Sequence, residues 1–177
     1  MREGAASFVV FDRMQPGDLF AIERQPSQAR LLGAEIDAVQ WDEADALAAQ
    51  PVAWTARHGG RIVAVFGVAE QFAGKHGVAW AVLAQGLGTA HLAVSRKAAE
   101  VVRTSGLNRV DLIARAAQTP FHLKGEAGLR WALDAKRASA ECRWARMLGF
   151  APGHVLHGYG AACETHVLFE WFGGGHG

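Results

Sequence analysis

The chain has 177 residues, half of them hydrophobic and 20% charged, and its 18 Lys and Arg against 17 Asp and Glu give a formal net charge of +1. That length suits one domain with a sizeable core, and the balanced, dispersed charge excludes a disordered acidic or basic chain and advertises neither a nucleic-acid nor a membrane partner. Cys142 and Cys163, the only cysteines, stand in no CxxC or Cys/His spacing, so neither a disulfide framework nor a zinc site is supported.

The opening MREGAASFVVFDRM holds an apolar run too short for a signal-peptide core, and no apolar segment reaches the ~18 residues of a membrane span, so a cytoplasmic protein is expected. Ser7 to Arg13 is a β-rich run, followed by a short helix over Asp18 to Glu23. Arg24 to Gln40 is irregular, with Gln25-Pro26-Ser27 as a turn signal, and Trp41 opens an Ala-rich helix ending near Gln50 before Pro51.

Val52 to Arg57 and Arg61 to Ala69 are strand-like and joined by His58-Gly59-Gly60, a hairpin whose glycines supply the required positive φ. Gln71 to Gly77 is expected as a connection, and Val78 to Ala84 as a central strand covered on both faces. Leu87, Ala90, Val94, Ala98 and Val101 recur at helical spacing up to a cap at Gly106, and Asn108 to Ala114 returns to strand character.

After a connection over Ala116 to Gly128, one helix is expected in which Leu129, Leu133, Ala140, Trp144 and Leu148 share a face, ending at Gly149. Its Arg130, Lys136, Arg137, Arg143 and Arg146 read as a solvated basic face. His154 to Tyr159 and Glu164 to Trp171 are the last strands, and the closing FGGGHG is too glycine-rich to hold one conformation. The expectation is a single α/β (α+β) domain over residues 1–172 with a flexible tail at 173–177, in the order β-α-α-β-β-β-α-β-α-β-β.

Gln85-Gly86-Leu87-Gly88-Thr89-Ala90 matches the Q/R-x-x-G-x-G/A pattern of the GNAT superfamily of acyl-CoA-dependent N-acetyltransferases, between a central strand and a helix. Arg146-Met147-Leu148-Gly149-Phe150 is similar to that family's helix ending in "LGF", and the element order resembles the GNAT order over nearly the whole chain. The Trp80-Ala81-Val82-Leu83 strand running into a short glycine turn also resembles small phage-encoded GNAT-like proteins, some of them associated with virions.

The resemblance implies a mixed, mostly antiparallel sheet flanked by helices, and acetyl-CoA as cosubstrate. It places the cosubstrate across Trp80, Val82, Leu83, Gln85, Gly86, Leu87, Gly88, Thr89 and Ala90, the glycines letting helix N-terminal amides approach a pyrophosphate. Trp80 to Leu83 and Leu112 to Arg115 would line a slot for the pantetheine arm.

The reaction implied is acetyl transfer to a small-molecule or peptide amine by direct attack. Glu70 is the carboxylate expected on the acceptor side, and Tyr159, the only tyrosine, a proton donor if it points into the slot. The family's usual Tyr, four residues before the Gly of "GF", falls on Ala145, and Gln85 follows Ala84 with no intervening residues. These departures favour the alternative, a catalytically inactive virion or protein-binding component. Glu164 and His166 are expected on one face of the last strand, and His91 as a partly buried structural histidine.

Overall fold

A computed structural model describes residues 8–25, 28, 40–160 and 162–173. Pro26 and Ser27 of the expected turn, residues 29–39 and the tail from 174 onward lie outside them. The described strands are β1 (Val9–Arg13), β2 (Val52–His58), β3 (Arg61–Phe72), β4 (His76–Leu83), β5 (Arg109–Arg115), β6 (Ala151–Leu156) and β7 (His166–Phe172). The helices are α1 (Asp18–Ala21), α2 (Trp41–Ala48), α3 (Ala90–Arg103), α4 (Gly125–Ala132) and α5 (Ala140–Met147).

The strands form one sheet in the order β1-β2-β3-β4-β5-β7-β6. Every neighbouring pair is antiparallel except β4 with β5. β2 and β3 turn over on Gly59 and Gly60 at φ of 58° and 79°, left-handed geometry that a two-residue hairpin loop requires at both positions. β3 is buried continuously from Ile62 to Val68, the signature of a strand covered on both faces, and α1 and α3 pack on it. α3 turns Ala90, Val94, Ala98, Val101 and Val102 inward, the period of an amphipathic helix. α5 packs on β5 and α4 on β6.

The architecture is the mixed, mostly antiparallel sheet flanked by helices that the sequence implied, with one helix more among the described residues. The expected helix through Leu129 and Leu148 is broken in two, because the Asp134 carboxylate accepts the Lys136 N–H and the Asp134 carbonyl accepts from Arg137 and Ala138. Ser139 then caps α5, its hydroxyl accepting the Cys142 N–H at 3.0 Å and donating to the Arg115 carbonyl of β5. The expected connection over Gln71 to Gly77 is also shorter, since β3 continues to Phe72 and β4 begins at His76.

Two polar clusters fix the frame. Asp18 is buried and accepts from the Thr55 hydroxyl (2.6 Å), an Arg57 guanidinium nitrogen (2.6 Å) and the Gln15 N–H (2.9 Å), tying α1 to β2. Asp111 on β5 binds His76 of β4 at 3.0 Å and Arg109 at 2.7 Å, and Arg109 reaches Glu170 of β7 at 2.8 Å. That bond to Asp111 holds the Arg109 guanidinium above its ordinary pKa.

Candidate functional site

The parallel β4–β5 pairing is brief: His76 pairs with Arg109, Gly77 with Val110 and Val78 with Asp111, and the register ends there. Beyond Val78 and Asp111 the strands part, pinned together only at the end held by the His76, Asp111 and Arg109 cluster. A cavity of about 250 Å³ opens in the gap, walled by Ala79, Trp80, Ala81 and Leu83 from β4 and by Leu112, Ile113, Ala114 and Arg115 from β5. Trp80, Ala81, Leu112 and Trp144 also wall a much smaller, apolar void against α3.

Polar groups ring the larger cavity: Gln25, Gln28, His91, Arg115 and Glu141. Trp144 is held over it by its indole N–H, which donates to the Ser95 hydroxyl at 2.8 Å, and that hydroxyl donates to the His91 carbonyl. The His91 ring lies 6.4 Å from that of Trp144 and is exposed, where the sequence predicted a partly buried histidine. The reason is position: His91 sits in the first turn of α3, one residue past Ala90 and so off the row of Ala90, Val94, Ala98 and Val101 that faces the sheet. Glu141 is half-buried in the first turn of α5, four residues before Ala145 and so on the same helix face.

Of the residues expected to hold a cosubstrate, Trp80 and Leu83 line the cavity. Val82 pairs with Val65 of β3 and is not among its walls. Gln85 to Ala90 form the turn into α3, with Gly86 and Gly88 at φ of 71° and 51°. The Gln85 N–H donates to the Glu23 carbonyl, Ala90 N–H to Leu87 and His91 N–H to Gly88. The N–H groups of Gly86, Gly88 and Thr89 have no hydrogen-bond partner among the described residues, and they lie at the N-terminus of the 14-residue α3.

The two expected catalytic side chains are not brought to the cavity. Glu70 pairs with Gly77 at the closed end of the sheet gap, and its carboxylate accepts the Gly74 N–H at 3.2 Å. Tyr159 lies in the turn after β6, which ends at Leu156, rather than on a strand; it is 57% exposed and rests edge-on against His166. Glu164 precedes β7, so it does not share a strand face with His166, which is buried at the strand's first position. Hydrogen bonds from the backbone of Glu164 itself and of Ala162, with the positive potential of His166 and Arg115, hold the Glu164 carboxyl below its ordinary value.

Glu141 and Gln28 were not singled out by the sequence. Glu141 carried a readable signal, since it lies one turn ahead of Ala145. Gln28 carried none, standing in a stretch without periodicity. Among the described residues no group of three or more His, Cys, Asp or Glu is arranged to hold a metal ion, and no helix is long and apolar enough to cross a membrane.

The chain matches no protein-family model and no curated protein sequence. Its shape does match solved structures. It is similar to Ard1 from Thermoplasma volcanium, with a TM-score of 0.65 and 10% identity over 93% of this chain and 97% of that one. It is similar to the GNAT-like decarboxylase GphF in complex with isobutyryl-CoA, with a TM-score of 0.64 and 13% identity over 92% and 98%. It is also similar to the aminoglycoside 6'-N-acetyltransferase of Enterococcus faecium, with a TM-score of 0.60 and 11% identity over 92% and 96%. At these identities the likeness establishes the architecture: the chain has the GNAT fold.

Proposed function

We propose that the chain binds an acyl-CoA in the gap between β4 and β5 and transfers the acyl group, acetyl in the simplest case, to an amine. The single observation carrying this reading is the loss of β4–β5 register after Val78 and Asp111, which leaves a cavity of about 250 Å³ in a GNAT-fold sheet. The Gly86, Gly88 and Thr89 amides at the head of α3 suit a pyrophosphate, because a helix N-terminus presents unpaired donors and a positive dipole end.

The thioester supplies an electrophilic carbonyl, which an amine attacks directly once it has lost its proton. Of the groups that line the cavity, Glu141 is the carboxylate placed to accept that proton, directly or through water, with His91 beside Trp144 as a second acceptor. Glu70 and Tyr159, the residues favoured by the sequence, would have to reach the cavity from outside its walls.

Assaying acyl transfer to an amine panel separates these assignments. Glu141→Gln is expected to lower kcat by roughly 10²-fold or more, the usual worth of a positioned general base, with little change in acyl-CoA affinity. Activity lost instead in Glu70→Gln or Tyr159→Phe, with Glu141→Gln intact, would return the roles to those residues.

One observation favours a second reading, a protein that binds without turnover. Ala145 stands at the family's tyrosine position, is fully buried and has no proton to give. Acyl-CoA binding without acylation of any amine is the outcome that selects this reading.

A further inference from the structure

The edge of β4 that faces the cavity is already paired. The Gln28 side-chain carbonyl accepts the Leu83 N–H at 2.7 Å, and its amide NH₂ donates to the Ala81 carbonyl at 3.0 Å. The neighbouring Gln25 donates its backbone N–H to the Leu83 carbonyl at 3.1 Å and its side-chain amide to the Ala84 carbonyl at 3.2 Å.

The Gln28 contacts have the pattern of a missing strand. In a parallel ladder one residue bonds with its N–H to the carbonyl at position i−1 of its neighbour and with its C=O to the amide at i+1. Ala81 and Leu83 flank Val82 in this way, and β5, the parallel neighbour, has already parted from β4 at Val78. A primary carboxamide carries its donor and acceptor on one side, so the Gln28 side chain supplies in one group what an amino-acyl unit of a parallel chain would supply.

We propose that Gln28 is an intramolecular stand-in for the ligand: it caps the Ala81–Leu83 edge and is displaced when an extended, peptide-like arm takes its place. The ligand class follows from the pattern, an amino-acyl unit with N–H and C=O on successive groups running parallel to β4. The β-alanyl portion of a pantetheine arm has this form, and to that extent the inference rests on the acyl-CoA reading above. Competition with the cap lowers apparent affinity by the fraction of molecules that are open; for a capped population of ~50–90% the penalty is roughly 2- to 10-fold.

Two measurements on Gln28→Ala and Gln28→Glu test this, the second variant keeping the acceptor while losing the donor. The first needs no ligand: amide hydrogen exchange at Leu83, followed by NMR, is expected to speed up in Gln28→Ala, and unchanged protection overturns the cap. The second is calorimetric titration with CoA and with adenosine 3',5'-diphosphate, which lacks the arm. Gln28→Ala is expected to bind CoA about 2- to 10-fold more tightly than the unaltered protein while affinity for the arm-less nucleotide stays the same. Equal or weaker CoA binding by Gln28→Ala overturns the competition alone, and so does an equal gain for both ligands. No CoA binding to either protein overturns the acyl-CoA reading together with the competition.

Discussion

Asp18 shows how much one side chain carries in this fold. Its carboxylate is the acceptor for a fully buried hydroxyl, Thr55, for Arg57 and for the Gln15 N–H, so removing it takes the partner from three donors rather than one. Asp18→Ala is expected to cost about 1–3 kcal/mol for leaving buried donors unmet, read as a lower urea midpoint with unchanged slope. The two cysteines differ in the same concrete way. Burial pushes the Cys142 thiol up, against the hydrogen bond to Ser139, and its sulfur lies 3.4 Å from the Arg115 carbonyl, whereas Cys163 is exposed. A thiol reagent at pH 8 is therefore expected to label Cys163 alone in the folded protein and both residues after denaturation. Rapid labelling of Cys142 in the native state would contradict the packing of α5 on β5.

At the scale of elements, α5 depends on its N-cap residue, Ser139. Ser139→Ala removes both the cap of α5 and the bond to Arg115, and is expected to destabilise by ~1 kcal/mol, within the range of 0.5–2 for lost N-caps. The turn between β6 and β7 depends on ionised Glu164. Its folded pKa is lowered from the ordinary 4.5, so the stabilisation is fully present above 4.5 and is lost as pH falls through the depressed value. Amide signals of Tyr159, Gly160 and Ala162 should report local loosening in acid, and Glu164→Gln should abolish that pH dependence. The strands and the central glycine turn were legible in the sequence because Val- and Ile-rich runs bounded by Gly are local signals. The break before α5 was less so. The apolar spacing of Leu129 to Leu148 continues across it, and the competing information sat in two side chains, Asp134 and Ser139. The cavity walls on β4 and β5 were anticipated from the resemblance, but Gln28 reaches them through a contact 53 residues away in the chain, which no local pattern encodes.

Across the whole molecule, the sheet is held at one end and open at the other. The His76, Asp111, Arg109 and Glu170 cluster closes β4, β5 and β7 together, and α3, with its glycine turn, stands where β4 leaves the sheet gap. Arg109→Ala, which takes the ion-pair partner from Glu170 and leaves Asp111 with His76 alone, is expected to lower thermal stability and weaken ligand binding together, since both depend on where the strands part. The central claim is that this gap takes an acyl-CoA. Calorimetric titration of the purified protein with acetyl-CoA tests it most directly. Saturable binding at one site per chain is expected, weakened when Gly88 is replaced by a bulky residue; no heat of binding at millimolar acetyl-CoA would contradict it.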